Sequence, residues 1–117
     1  MHVATKGGNT DILSLLLEHD ADVDSRDRSR ATPLHWASAR GGFDIGQCLL
    51  DHGADFNARD KDSVTPLFDA ARQGHVEFAQ LLLERGALID AQSKFGRTPL
   101  SWAVGSGNIQ VARLLTY

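Results

Sequence analysis

Apolar residues return along this chain in four trios of identical spacing. Ile12, Leu15 and Leu16 are followed by Ile45, Cys48 and Leu49, then by Phe78, Leu81 and Leu82, and then by Val111, Leu114 and Leu115. Positions i, i+3 and i+4 fall on one stripe of an α-helix, so each trio predicts a short amphipathic helix. Asp11, Asp44 and Glu77 stand just ahead of the first three trios and off the stripe. There a carboxylate opposes the positive end of the helix dipole, which explains it without any further role. Each trio lies 33 residues from the next, a period that belongs to stacked repeats.

A second pattern repeats at the same step. Thr32-Pro33-Leu34-His35-Trp36-Ala37, Thr65-Pro66-Leu67-Phe68-Asp69-Ala70 and Thr98-Pro99-Leu100-Ser101-Trp102-Ala103 contain all three prolines of the chain. Proline suits the first position of a helix, where its missing N–H costs nothing, and the threonine before it caps the next amides. The small side chain at Ala4, Ala37, Ala70 and Ala103 permits close approach of neighbouring helices, and His2-Val3-Ala4 marks a truncated copy at the front. Four residues further on, Gly8, Gly41, Gly74 and Gly107 predict left-handed helix ends, so this first helix has only two to three turns. Gly53 and Gly86 end the second helix in the same way, where the first copy has Asp20 and is expected to be the softest. Polar segments such as Asp27-Arg28-Ser29-Arg30 and Asp60-Lys61-Asp62-Ser63 then form turns before the next Thr-Pro.

Thr-Pro-Leu-His-Trp-Ala, Gly-Gly, Cys-Leu-Leu and Gly-Ala-Asp-Phe-Asn-Ala, in that order, resemble an ankyrin repeat, and the resemblance covers essentially the whole chain. It implies an all-α fold: an ankyrin-repeat solenoid of stacked helix-turn-helix units joined by β-hairpin or turn fingers. The expected organisation is one domain over 1–117, with repeats at about 1–27 (partial), 28–60, 61–93 and 94–117 (partial). The histidine typical of the family after Thr-Pro-Leu is kept at His35 but is Phe68 and Ser101 in the other copies. The hairpin glycine is kept at Gly96 and is Arg30 and Ser63 elsewhere. The front copy lacks Thr-Pro and the chain closes on Leu114-Leu115-Thr116-Tyr117, so a piece of a longer array with ends that self-associate is expected.

Composition narrows the function. A net charge of −3 argues against bulk nucleic-acid affinity. No apolar run approaches the roughly 20 residues of a membrane span, and no apolar signal core follows Met1. Together with a single cysteine this predicts an intracellular protein, cytoplasmic or nuclear. His19 and His52 occupy equivalent positions, but stacked helices lie roughly 8–10 Å apart and zinc takes its ligands at about 2 Å, so no metal is expected. Cys48 aligns with leucines and reads as core. Gly105-Ser106-Gly107-Asn108 lacks the lysine and the preceding strand of a phosphate loop. No cofactor, small-molecule substrate or catalytic residue is expected.

Ten of the twelve basic residues fall on turns or first helices, and only Arg85 and Arg113 lie elsewhere. The resemblance implies that these elements line a concave binding face. Arginine interleaved with aromatic side chains is the composition of interface hot spots. The expected partner-binding residues at the turn tips are Arg28, Arg30, Lys61, Lys94, Phe95 and Arg97, and those on first helices are Trp36, Arg40, Asp69, Arg72 and Trp102. The two tryptophans serve equally well as packing between adjacent helices. The expected function is protein-protein interaction with a partner carrying an acidic patch. The alternative is a structural spacer with binding carried elsewhere in a longer chain. The family resemblance adds one modification: Leu49, Asp55, Phe56 and Asn57 match the setting in which an ankyrin asparagine is hydroxylated, here at Asn57.

Overall fold

A computed structural model describes residue 15, residues 18–19 and residues 22–116. Ala4, Gly8, Asp11, Ile12, Leu16 and Asp20, on which the reading of the first copy rests, lie outside the described residues, as does Lys6. Among the residues from 22 onwards six helices follow one another: α1 (Pro33–Arg40), α2 (Phe43–Asp51), α3 (Pro66–Gln73), α4 (Val76–Glu84), α5 (Pro99–Gly105) and α6 (Ile109–Leu115). Among the described residues there is no strand. The first helices α1, α3 and α5 stack on one another, and the second helices α2, α4 and α6 form a parallel layer behind them.

The helix boundaries have the causes predicted from the sequence. Thr32, Thr65 and Thr98 are extended N-cap residues, each followed by its proline. Gly41, Gly74 and Gly107 stand at φ 72°, 76° and 73°, so each first helix stops in a left-handed turn. The residue after the glycine also ties adjacent repeats together. His75 places Nε2 3.1 Å from the Ala39 carbonyl at the end of α1. Asn108, its equivalent one repeat on, donates from Nδ2 to the Ala71 and Arg72 carbonyls at 2.7 and 2.9 Å.

The core lies between the two layers. Leu34, Leu49, Leu67, Ala70, Leu82, Ala103 and Val111 are completely enclosed. The position predicted from the stripe changes with its place in the stack. Leu81 in the middle repeat is buried, Cys48 and Leu114 are half-buried against the core, and Leu15 is 55% exposed. A middle repeat is covered from both sides, and its neighbours are covered less completely. Gly46, in the interior of α2, admits the Phe78 ring of α4: a Cβ built there would stand 2.5 Å from ring carbons.

The fingers are tight turns stitched to one another. Asp27, Asp60 and Ser93 donate their N–H groups to the carbonyls of Ala31, Val64 and Arg97 at 3.0, 3.0 and 2.8 Å. Lys61 N–H donates to Ser29 and Lys94 N–H to Asp62 across successive fingers, at 3.0 and 2.8 Å. Two arginines reinforce this: Arg26 donates to the Arg59 carbonyl at 2.7 Å, and Arg59 donates to the Gln92 carbonyl at 2.6 Å. Arg26 and Arg59, counted with the basic face from sequence, thus spend their guanidinium groups on backbone.

Candidate functional site

The face made of fingers and first helices is built from three versions of one local design. In the first version, Asp27 Oδ1 accepts from the N–H groups of Ser29 and Ala31 at 2.8 and 3.0 Å, and its Oδ2 accepts from Trp36 Nε1 at 3.0 Å. Thr32 N–H donates to His35 Nδ1 at 3.0 Å, so the ring proton is on Nε2, which donates to the Val64 carbonyl at 2.7 Å. Burial lowers the His35 pKa and keeps the ring neutral, although the Val64 carbonyl and the charges of Asp60 and Asp27 act in the opposite sense. One imidazole therefore caps its own helix and holds the next finger.

The middle version departs from this twice. Asp60 Oδ1 still accepts from Asp62 and Val64 N–H at 2.8 and 3.0 Å, but the tryptophan position is Asp69. Two carboxylates now line one hollow of about 170 Å³ together with His35, Trp36 and Arg72. Asp69 is only 9% exposed. Burial pushes its pKa up to about 7; the Asp60 charge adds to the rise, and the Arg72 guanidinium, 3.5 Å away, opposes both. Phe68 in the histidine position cannot accept from Thr65, and the buried Thr65 hydroxyl has no partner. What Phe68 offers instead is an edge-to-face contact with Trp102 at 5.4 Å between ring centroids.

In the third version a short hydroxyl does the histidine's capping work. Ser101 Oγ accepts from Thr98 N–H at 3.0 Å, and Thr98 Oγ1 accepts from Ser101 N–H at 3.2 Å. Ser93 stands in the aspartate position, too short to repeat the Asp27–Trp36 bond, and both Ser93 Oγ and Trp102 Nε1 are buried without a partner.

Arg72 joins the second and third versions. Its guanidinium carbon lies 5.3 Å from the centre of the Trp102 ring while one nitrogen reaches Asp69. On its far side opens a second hollow of about 410 Å³, lined by Arg72, Arg97, Ser101, Trp102, Gly105 and Ser106. The structure therefore brings Asp69, Arg72, Arg97 and Trp102 together, with Trp36 on the other side of Asp69. Arg28, Arg30, Lys61 and Lys94 are exposed on the fingers, Arg40 is exposed at the end of α1, and Phe95 at a finger tip is 78% exposed. Asn57 uses its amide oxygen to accept from Leu88 N–H of the next repeat at 2.9 Å.

Asp60 and Ser106 belong to these hollows although the sequence did not single them out. The signal for Asp60 was present, because an aspartate nine residues before the tryptophan position recurs at Asp27 and Asp60. Among the described residues no three His, Cys, Asp or Glu side chains converge as metal ligands. His52, at the end of α2, places Nδ1 2.9 Å from the Cys48 carbonyl of its own helix.

Stacked helix pairs joined by stitched fingers at a constant step define a helical-repeat solenoid. Its sequence matches the family model described as ankyrin repeats (3 copies) over residues 1–60 and 56–117, and the chain belongs to the ankyrin-repeat family. No match was found among curated proteins. Ankyrin repeats are generally protein-protein interaction modules and typically not enzymes. No helix among the described residues is long and apolar enough to cross a membrane.

Proposed function

We propose that this chain binds an acidic segment of a protein partner through the face formed by its fingers and first helices. The observation that carries this reading is a division of labour among the arginines. Arg26 and Arg59 are consumed by backbone carbonyls, whereas Arg28, Arg30, Arg40, Lys61, Lys94 and Arg97 are exposed on one face. Charge left in water on a rigid surface steers a complementary partner and loses little entropy on binding. Trp36 and Trp102, both half-buried, and exposed Phe95 supply the apolar anchors. A single half-buried cysteine, Cys48, fits a cytoplasmic or nuclear location. Affinity capture with the wild-type chain and with an Arg40→Glu, Arg72→Glu variant tests the reading. The expected result is an acidic partner identified by mass spectrometry with the first and lost with the second; undiminished capture by the variant overturns it.

A second reading, a spacer or self-associating repeat, draws on a different observation. Leu100, Ala103, Val104, Ile109 and Ala112 line an apolar hollow of about 370 Å³ beside α5 and α6, where Val104 and Ile109 are 64% and 65% exposed. Repeat stacking uses this chemistry. Sedimentation across a concentration range tests the self-association, which a strictly monomeric chain excludes, and capture of no partner by this chain favours the spacer.

A further inference from the structure

The two hollows on the finger face differ in sign. The smaller sets two carboxylates, Asp60 and Asp69, against the single guanidinium of Arg72. In the larger, Arg72 from α3 and Arg97 from the last finger flank the Trp102 indole, and no carboxylate is among the lining residues. Among the described residues Arg97 has no ion-pair partner. Arg72 is held from behind by Asp69 at 3.5 Å, longer than the 2.7–2.9 Å usual for a charge-assisted hydrogen bond. Its guanidinium carbon lies over the Trp102 ring, 5.3 Å from the centroid, which places the charge against the indole beforehand. The end of α5 borders the same hollow, but Trp102 and Val104 carbonyls there accept from Ser106 and Gly107 N–H at 2.9 and 3.1 Å. Their lone pairs are thus partly spent, and the Ser106 hydroxyl is a further donor.

We propose that the hollow between Arg72, Arg97 and Trp102 is the anchor site for a single carboxylate side chain of an extended acidic peptide in the partner. In its ionised form Asp69 holds Arg72 until that carboxylate arrives. The inference rests on the partner-binding reading above and adds to it a place, a ligand group and a competing residue. The incoming carboxylate bridges the two guanidinium groups, and its aliphatic stem lies on the indole. Asp69 makes the site selective, because a neutral side chain gives Arg72 nothing to exchange for the contact it leaves.

The test uses the ¹⁵N-labelled full chain and a capped octaglutamate peptide, followed at the Trp102 indole N–H resonance, which Trp102→Phe assigns. Octaglutamate is expected to shift this resonance saturably, and capped octaglutamine to leave it in place. Arg97→Gln weakens binding by about tenfold, Asp69→Asn strengthens it several-fold, and Arg113→Gln, a charge on α6 in the layer behind, leaves it within about twofold. Wild-type affinity in Arg97→Gln, no gain in Asp69→Asn, or tighter binding of an oligothymidylate than of octaglutamate overturns the assignment. Failure here with partner capture still abolished by Arg40→Glu, Arg72→Glu removes only the anchor site. An octaglutamate response without any captured partner removes the broader reading and leaves the site.

Discussion

Asp69 faces the same hollow as Asp60, in the register where the preceding repeat joins Trp36 to Asp27 by a 3.0 Å hydrogen bond. A donor has been exchanged for a second acceptor. The middle repeat therefore carries an electrostatic cost that its neighbours do not, and Arg72 offsets part of it.

That cost makes stability depend on pH. The folded pKa of Asp69, about 7, lies above the ordinary value of 3.8, so the folded state keeps a proton that the unfolded chain releases. Stability from this group is fully present below about pH 4 and is lost progressively as pH rises from there through 7, with a ceiling of roughly 4 kcal/mol. His35 acts oppositely: its folded pKa is lowered, so acidification below about 6.5 favours the unfolded chain. Asp69→Asn isolates the carboxylate. Urea unfolding is expected to find the variant more stable than wild type at pH 8, with a gap that narrows as the pH falls through 5 towards 4. A gap that does not change with pH contradicts the assignment.

Gly46→Ala tests the contact between second helices. Alanine is the better helix former by about 1 kcal/mol, yet its Cβ would meet the Phe78 ring at 2.5 Å. Overpacking costs about 1–3 kcal/mol, so the net expectation is destabilisation of about 1 kcal/mol. Gly46→Ala combined with Phe78→Leu should recover part of the loss in a double-mutant cycle.

The fingers store a different strain. Arg30 and Ser63 sit at φ 63° and 61°, the conformation that Gly96 adopts at 73°. Left-handed backbone costs a side-chain-bearing residue roughly 1–2 kcal/mol, so Arg30→Gly and Ser63→Gly should each raise the melting temperature, while Gly96→Ala lowers it. Calorimetry on the three single variants decides the sign.

Ser93→Asp should restore the missing finger acceptor. In the first two fingers an aspartate accepts two backbone N–H groups, and in the first it also accepts from tryptophan. Supplying that carboxylate to the buried Trp102 Nε1 is expected to stabilise by about 1–3 kcal/mol and to slow hydrogen exchange of the indole proton. Unchanged exchange would show that the side chain does not reach it.

The scaffold was legible because each boundary is decided locally. Thr-Pro starts a helix and Gly41, Gly74 and Gly107 stop one, whatever surrounds them, and the three repeats share a single period. The binding face was legible only as composition. Arg59 and Arg97 look alike in sequence and both are exposed, yet Arg59 donates to the Gln92 carbonyl while Arg97 borders the hollow beside Trp102. That difference is set by the neighbouring finger. Asp69 was identifiable as the departure from tryptophan, but its pairing with Asp60 depends on a finger folding back over a helix. Gly46 drew no notice because the ring that requires it lies 32 residues away, on α4.

The chain of bonds from Arg26 to Arg59 and from Arg59 to Gln92 has a metric consequence. It links neighbouring fingers, and Arg28, Lys61 and Lys94 occupy the same place on successive ones. Stacked repeats advance by roughly 8–10 Å and an extended strand by about 3.3 Å per residue. The tips thus form a graduated edge, one positive mark for about every third residue of any extended chain laid along it.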